Sequence, residues 1–482
     1  MEDALNTNLS ANVREFDVVV IGAGPAGEVA AGRLGQAGLS VAIVESHLIG
    51  GECSYYGCMP SKALLRPAEA LAEARRIPGA LEATAGELDV EAVLARRDEV
   101  IHDLDDSVQV PWLEERNVTI VRGFGRLAGE RRVRVGDDLL VARRAVIVAV
   151  GTGPVLPSIP GLSEAAPWTN RDATTAKAAP NRLLVLGGGV VGIELAQAWA
   201  SLGSSVTVVE LFDRILVREE PFASNEVAAA LRGRDVDVRT GVAATAVERK
   251  DGLVVVELEN GERLTADELL VAVGRCPPTD DLGLETVGIE PGGYLSVDDG
   301  MRVGDTGWLY AVGDVNGRSL LTHMGKYQAW IAAENILGGD VRAEESAQGA
   351  LSPRVVFTDP QVAAVGHTLA SAEEAGLPAI AVDHPTNGVA GSSFYGRKAP
   401  GTARLVVDLE REVIVGATFT GPDVAELLHA ATIAIVAEVS ISQLRHAVPA
   451  FPTRSEVWLR LLERYEVEHR PVGTKELAAA AA

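Results

Sequence analysis

Two cysteines, Cys53 and Cys58, stand in residues 50–62, which read GGECSYYGCMPSK. In an undistorted helix this spacing leaves their Cα atoms about 8–9 Å apart. A disulfide closes only below about 7 Å. A bond between them therefore requires the backbone to bend, and Gly57 beside Cys58 makes bending easy. Strain in such a closed pair makes it easier to reduce, so the spacing offers reversible dithiol–disulfide chemistry. Two reduced cysteines at a helix start are the plain alternative.

What surrounds the pair favours the redox reading. Residues 16–21 (FDVVVI) form a continuous apolar run, as in a buried parallel strand. Gly22-Ala23-Gly24-Pro25-Ala26-Gly27 follows, then an Ala-rich helical stretch and a strand ending at Glu45. This strand–GxGxxG–helix–strand–acid order is a dinucleotide-binding pattern. Its glycines allow the turn, the approach of a pyrophosphate and helix–strand packing, and its acid accepts from ribose hydroxyls. The pattern recurs as LLVLGGGVVGIELA, with Gly187, Gly189 and Gly192, and a second acid, Glu210, at the end of SVTVVE. The first glycine and the acid are 23 residues apart in both copies, which points to an internal duplication. Two dinucleotide sites flanking a cysteine pair describe a protein that moves electrons between two bound cofactors.

Glu210 favours the 2′-OH of NAD over the 2′-phosphate of NADP. Leu211 and Phe212 follow where an NADP site prefers arginines, although Arg214 and Arg218 are close in sequence and keep NADP(H) open as the alternative.

The chain has 482 residues, three cysteines and a net charge of −24. These values predict several domains, a cytoplasmic rather than disulfide-stapled secreted protein, and neither nucleic-acid nor anionic-membrane partners. No apolar run reaches the roughly 18 residues of a membrane span. The fold class expected is α/β: two Rossmann-like dinucleotide-binding domains plus a C-terminal α+β domain. The boundaries expected are a flexible arm at 1–14, a first nucleotide domain at 15–153, a second at 154–275, a return to the first at 276–345, an interface domain at 346–470 and a disordered tail at 471–482. Helices are predicted over 60–76, 89–115, 422–438 and 453–464, with a hairpin-like region at 118–141. Arg131, Arg132 and Arg134 alternate with Val133 and Val135, as on a solvated strand face.

The motifs GAGPAG, GGxCxxxxCxPSK, GGGxxGxE, VGRxP, YAVGD and FTDPxxAxVG occur in that order. With them the chain resembles the pyridine nucleotide–disulfide oxidoreductases, the class of dihydrolipoamide dehydrogenase, glutathione reductase and mercuric reductase, from about residue 16 to 465. The resemblance implies FAD at the first fingerprint, NAD(H) at the second, and a homodimer. It implies cofactor contacts at Gly22, Gly24, Pro25, Ala26, Gly27, Glu45, Gly51, Lys62, Gly151 and Asp314, and at Gly187, Gly189, Val191, Gly192, Glu210 and Gly274. It implies that Cys58 lies nearest the flavin, that Cys53 exchanges with substrate, and that Lys62 and Glu194 pair beside the flavin ring, the lysine being buried. No metal-ligating set is assigned.

One departure stands out. The family's His-Pro-x-x-x-Glu near the C-terminus, which protonates the exchanging thiol from the partner subunit, reads here Phe451-Pro452-Thr453-Arg454-Ser455-Glu456. Glu456 is kept as a catalytic candidate, but phenylalanine transfers no proton. His446 is expected to be a surface or capping residue. An aromatic at this place has precedent in mercuric reductases, yet the tail lacks their cysteine pair. Cys276 is expected to be an ordinary buried or half-buried thiol. The function expected is hydride transfer from NADH through FAD to Cys53–Cys58 and on to a small-molecule or small-protein disulfide. A quinone, metal-ion or dye reductase is the alternative, and a redox sensor without turnover a third reading.

Overall fold

A computed structural model describes residues 12–344, 348–396 and 399–469. The chain divides into two compact units, residues 1–60, 96–155 and 274–349 in the first and 61–95, 156–273 and 350–482 in the second.

The first unit is built on a seven-stranded sheet. Val118–Arg122, Val41–Glu45, Asn12–Ile21 and Asp138–Val148 run parallel in that spatial order, and Leu309–Ala311 pairs parallel with Asp138–Val148. Val18, Val19 and Val20 are fully buried, as strands covered on both faces require. Helix Pro25–Gln36 follows the first strand, and helix Thr322–Ile336 contributes Ala329, Ile331, Ala332 and Ala333 to the core beneath it.

In the second unit Asp237–Thr240, Ser205–Glu210, Arg182–Leu186 and Glu268–Val271 form a four-stranded parallel sheet. A three-stranded antiparallel sheet and a five-stranded antiparallel sheet complete it, the latter in the order Arg354–Val356, Gln361–Gly366, Val413–Gly421, Thr402–Asp408, Ala379–Pro385. Helices Leu428–Val436 and Glu456–His469 bury Leu428, Ala431, Val457, Leu461 and Leu462 against this last sheet.

Several local expectations shift. The first strand begins at Asn12, inside the segment read as an arm, because Asn12–Phe16 pair with Asp138–Ala142; residues 1–11 and the tail at 471–482 lie outside the described residues. Residues 61–95 group with the second unit, since Leu64, Leu65, Val93 and Leu94 share a core with Leu183, Val185 and Ile193. The helix expected over 89–115 ends at Val100, where His102, Asp103 and Leu104 all take positive φ (50°, 51°, 63°), a conformation L-residues do not propagate. Val118–Arg122 joins the parallel sheet rather than a hairpin. The arginines of strand Arg132–Val135 face outward while its valines are buried.

Candidate active site

Both fingerprints take the same local shape. Gly22 and Gly187 have φ of +101° and +110°, and a Cβ on either would stand 2.4 Å from a carbonyl oxygen, of Ala149 and Ala272 respectively. Only glycine meets both demands. Gly27 and Gly192 lie so close beneath that an added Cβ would reach within 1.9 and 2.1 Å of the Gly22 and Gly187 carbonyls. Gly24 and Gly189 open their helices in extended conformation, and a Cβ there would meet nothing within 4 Å. The backbone is thus bare where the helix N-terminus carries its partial positive charge. Pro25 opens one helix; Val191, half-exposed, lies in the first turn of the other.

The two acids are held alike. Glu45 accepts the N–H groups of Ala23 and His47, each at 2.7 Å. Glu210 accepts those of Gly188 and Phe212, the latter at 2.8 Å. Arg214 donates to the carbonyls of Leu216, Val217 and Glu219, so its guanidinium is committed to the backbone.

In the first unit the cysteine segment lies against the glycine turn. Gly50 N–H donates to Ala23 O at 2.8 Å, and Gly51, at φ +58°, would place a Cβ 2.9 Å from Gly24 Cα. Helix Gly51–Tyr55 stops before Cys58 opens the next helix, Cys58–Arg76. The bend demanded by the cysteine spacing is therefore present. Gly57 serves it by close approach, since a Cβ there would sit 3.1 Å from the Glu52 carbonyl oxygen.

Cys53 is half-buried and Cys58 exposed. The Thr322 hydroxyl lies 3.1 Å from Cys53 Sγ and 3.5 Å from Cys58 Sγ. A hydrogen bond with Cys58, then burial, push the Cys53 thiol well above its ordinary value, while Thr322 and Lys326 oppose the shift. The reduced pair therefore keeps a proton on Cys53. Nearby, Asp314 accepts the Thr152 hydroxyl at 2.8 Å, and Arg275 holds Thr152 through Nε at 2.8 Å. Burial raises the Asp314 pKa, with Thr152 and Arg275 opposing. Gly151 and Gly274 flank this cluster at φ +67° and +147°.

In the second unit Lys62 Nζ stands 2.7 Å from Glu194 Oε2, and Glu194 Oε1 accepts the Phe357 N–H at 2.9 Å. Lys62 also lies over the Phe357 ring, 4.7 Å from its centroid. The expected burial is reversed. The lysine side chain is 33% exposed and the glutamate 4%, so the carboxylate is the member that depends on its partner.

The comparisons agree with this geometry. Residues 16–335 match the profile of the pyridine nucleotide-disulphide oxidoreductases, and residues 352–461 that of their dimerisation domain. This chain belongs to that family. The dihydrolipoyl dehydrogenase of Haloferax volcanii is 34% identical over 93% of this chain and 95% of its own. The mercuric reductase of Acidithiobacillus ferrooxidans is 32% identical over 89% and 79%. The Cu(II) complex of RclA, an HOCl-induced flavoprotein disulfide reductase of Escherichia coli, superposes with a TM-score of 0.82 at 26% identity, covering 93% of this chain and 99% of that one. The chain is accordingly an FAD- and NAD(P)H-dependent oxidoreductase with a dimerisation domain. The residues present fit both groups: each bare helix start faces open space at its second glycine, with an anchored carboxylate at the end of the next strand.

Within this family oxidoreductase the C-terminal segment departs as its sequence indicated. Phe451 is 77% exposed, His446 is exposed, and Glu456, 7% exposed, accepts the Gly391 N–H at 2.8 Å. Cys276 is exposed, contrary to expectation, because the two-residue strand Arg275–Cys276 pairs only with Gly153–Pro154. Thr322 and Thr152 escaped the sequence reading. Each is remote in sequence from the group it touches, and no local pattern marks either. Among the described residues no group of three or more His, Cys, Asp or Glu is placed to hold a metal, and no helix is long and apolar enough to cross a membrane.

Proposed function

We propose that this enzyme oxidises NADH and reduces a disulfide acceptor through Cys53 and Cys58, as a cytoplasmic homodimer. The observation that carries the proposal is the pair of thiols bent into mutual hydrogen-bonding reach and bridged by Thr322. When bound, FAD supplies the two-electron link between nicotinamide and sulfur. Gly22, Gly24, Pro25, Ala26, Gly27, Gly51 and Gly151 would form its backbone cradle, with Glu45 and Asp314 accepting from its hydroxyls. Gly187, Gly189, Val191 and Gly192 would line the nicotinamide dinucleotide site. Glu210, with Arg214 engaged elsewhere, supports NAD over NADP.

The residues then divide the sulfur chemistry. Cys58 carries the negative charge of the reduced pair and Cys53 the proton. Passing that proton across their hydrogen bond makes Cys53 the thiolate. Cys53 attacks one sulfur of the acceptor disulfide, forming a mixed disulfide and releasing the first thiolate. Cys58 then attacks Cys53, closing the Cys53–Cys58 bond and releasing the second. The two departing thiolates take one proton from the pair and one from water. The cation of Lys62, oriented by Glu194, would favour negative charge beside it. Glu456 would position the C-terminal segment by holding Gly391.

A quinone, metal-ion or dye acceptor is the second reading, favoured by Phe451, which donates no proton where the family's histidine stands. Substituting Cys53→Ser separates the two. Under the disulfide reading, NADH-driven reduction of disulfides disappears while dye reduction survives in part. Undiminished turnover with every acceptor would show that the cysteines are not on the electron path, and negligible turnover of the unmodified protein with all acceptors would favour a sensor.

A further inference from the structure

Between Glu210, which ends its strand, and helix Pro221–Arg232, residues 211–220 run without strand or helix. This loop lies against the second glycine turn. Leu216 N–H donates to the Gly188 carbonyl at 2.9 Å, and a Cβ on Gly188 would meet Ile215 Cγ2 at 2.9 Å. Glu219 N–H donates in turn to the Leu216 carbonyl at 2.9 Å. Arg214 gathers the same stretch by donating to the carbonyls of Leu216, Val217 and Glu219. The loop is therefore folded as one piece, with Leu216 as its contact to the turn.

Its far end is fastened by two buried acids to the five-stranded sheet of the C-terminal domain. Glu219 Oε1 pairs with Arg354 Nε at 2.7 Å, while its Oε2 is closed to solvent and has no partner among the described residues. Arg354, which opens strand Arg354–Val356, also donates to the Ala350 carbonyl at 2.9 Å. Glu220 accepts the Leu369 N–H at 2.8 Å and Arg404 Nη1 at 3.0 Å. Arg404, on strand Thr402–Asp408, is held in turn by both oxygens of Asp383, each at 2.7 Å. Apolar side chains of similar volume hold a buried contact as well as such ion pairs do. The two charged pairs differ from them in fixing one position of the chain, because a carboxylate here is tolerated only opposite its arginine.

We propose that Glu219 with Arg354, and Glu220 with Arg404, are positioning residues for the nicotinamide dinucleotide: through them the sheet of the dimerisation domain holds loop 211–220 against the glycine turn. The proposal rests on the assignment of that dinucleotide to Gly187–Gly192 and Glu210. None of the four touches the ligand; each acts through the loop. The line runs from Arg354 to Glu219, from the Glu219 amide to Leu216, and from the Leu216 amide to Gly188. Removing Arg354 leaves the Glu219 carboxylate buried without its counter-charge, and turning it toward water draws Leu216 away from Gly188. Glu210, which receives the Gly188 and Phe212 amides, then loses its fixed place beside the ribose.

The test uses the full-length FAD-loaded protein. NAD⁺ affinity is measured by calorimetry, KM for NADH and kcat with a dye acceptor, and trypsin cleavage after Arg214 and Arg218 by mass spectrometry. Arg354→Met is expected to weaken NAD⁺ binding about tenfold, the worth of one hydrogen bond to a charged group. KM for NADH should rise to match, kcat should stay nearly unchanged, and cleavage within the loop should quicken. Arg354→Lys, which keeps a charge for Glu219, should recover part of the affinity. Combining Arg354→Met with Glu219→Gln removes the stranded charge, so heat stability should return while affinity stays low. Arg411→Met is the control: it strands the buried Asp408 in the same sheet but off the loop, and should cost stability with NAD⁺ affinity unchanged. If Arg354→Met does not fold, the double variant decides. Unweakened affinity in the double variant, or an equal loss in Arg411→Met, overturns the proposal. An unmodified protein that binds no NAD⁺ overturns the assignment of the dinucleotide site, and the proposal with it.

Discussion

The Lys62–Glu194 pair has an asymmetry that stability measurements can expose. At 2.7 Å and an effective dielectric near 20, the charges attract by about 6 kcal/mol, before the desolvation that offsets much of this. Breaking a buried pair by removing one partner costs roughly 3–5 kcal/mol, mainly through the charge left stranded. Glu194 is 4% exposed and Lys62 33%. Lys62→Met therefore strands the buried carboxylate and is expected to cost about 3–4 kcal/mol. Glu194→Gln leaves a lysine that reaches water and keeps an acceptor for the Phe357 amide, so it is expected to cost only about 1–2 kcal/mol. The double variant, with no stranded charge, should be more stable than Lys62→Met alone. At roughly 2 cal/mol/K per residue, the chain's 482 residues convert these values to shifts of about 3–4 °C and 1–2 °C in the midpoint of heat-induced flavin release.

The pH dependence carries the sign. A carboxylate stranded by Lys62→Met has its folded pKa raised above the unfolded value of about 4.3. The folded variant then binds more protons, so its deficit is small near pH 5 and complete at pH 8. A deficit equal at both pH values, or Glu194→Gln costing as much as Lys62→Met, would refute the assignment of the carboxylate as the dependent member.

Two other perturbations are sharp. Burial pushes Glu28, in the first turn of the first helix, up to about 7 against the opposing charge of Lys326. A raised carboxylate costs nothing below its unfolded pKa and its full penalty above the folded one, here at most about 3 kcal/mol; Glu28→Gln should therefore raise the unfolding midpoint at pH 8 and leave it nearly unchanged near pH 4.5, and equal shifts would contradict this. Glu210→Ala removes the charged acceptor expected to meet the NAD ribose, so the ratio of kcat/KM for NADH over NADPH should fall by about 10- to 150-fold, from roughly 1.5–3 kcal/mol for hydrogen bonds to a charged group. An unchanged ratio would place nicotinamide selectivity elsewhere.

What was legible in the sequence was local. The glycine spacing of residues 22–27 and 187–192 specified a turn whose two realisations agree to within 9° in φ at the first glycine. The spacing of Cys53 and Cys58 required a break between helices, and the break is there. Contacts across long separations were not legible. Thr322 touches sulfurs more than 260 residues away, and nothing near position 322 announces it. Burial was misjudged for Lys62 and Cys276 for the same reason: exposure is set by what packs from elsewhere in the chain. The helix expected through 89–115 failed because three consecutive left-handed residues carry no strong local signature.

Proton supply is what separates the acceptor classes. Reducing a disulfide or a quinone consumes two protons, whereas reducing a metal ion consumes none. In this chain the Thr322 hydroxyl stands in hydrogen-bonding reach of both sulfurs, which also reach each other, and a threonine hydroxyl relays a proton but does not store one at neutral pH. The pair holds one proton, on Cys53, and Phe451, where the family's histidine stands, supplies no second one. Disulfide reduction should therefore slow as pH rises, with no plateau of the kind a histidine provides. Metal-ion reduction, needing only charge on sulfur, should quicken over the same range. Opposite pH slopes for the two acceptors would follow directly from Phe451 standing where the family's proton donor stands.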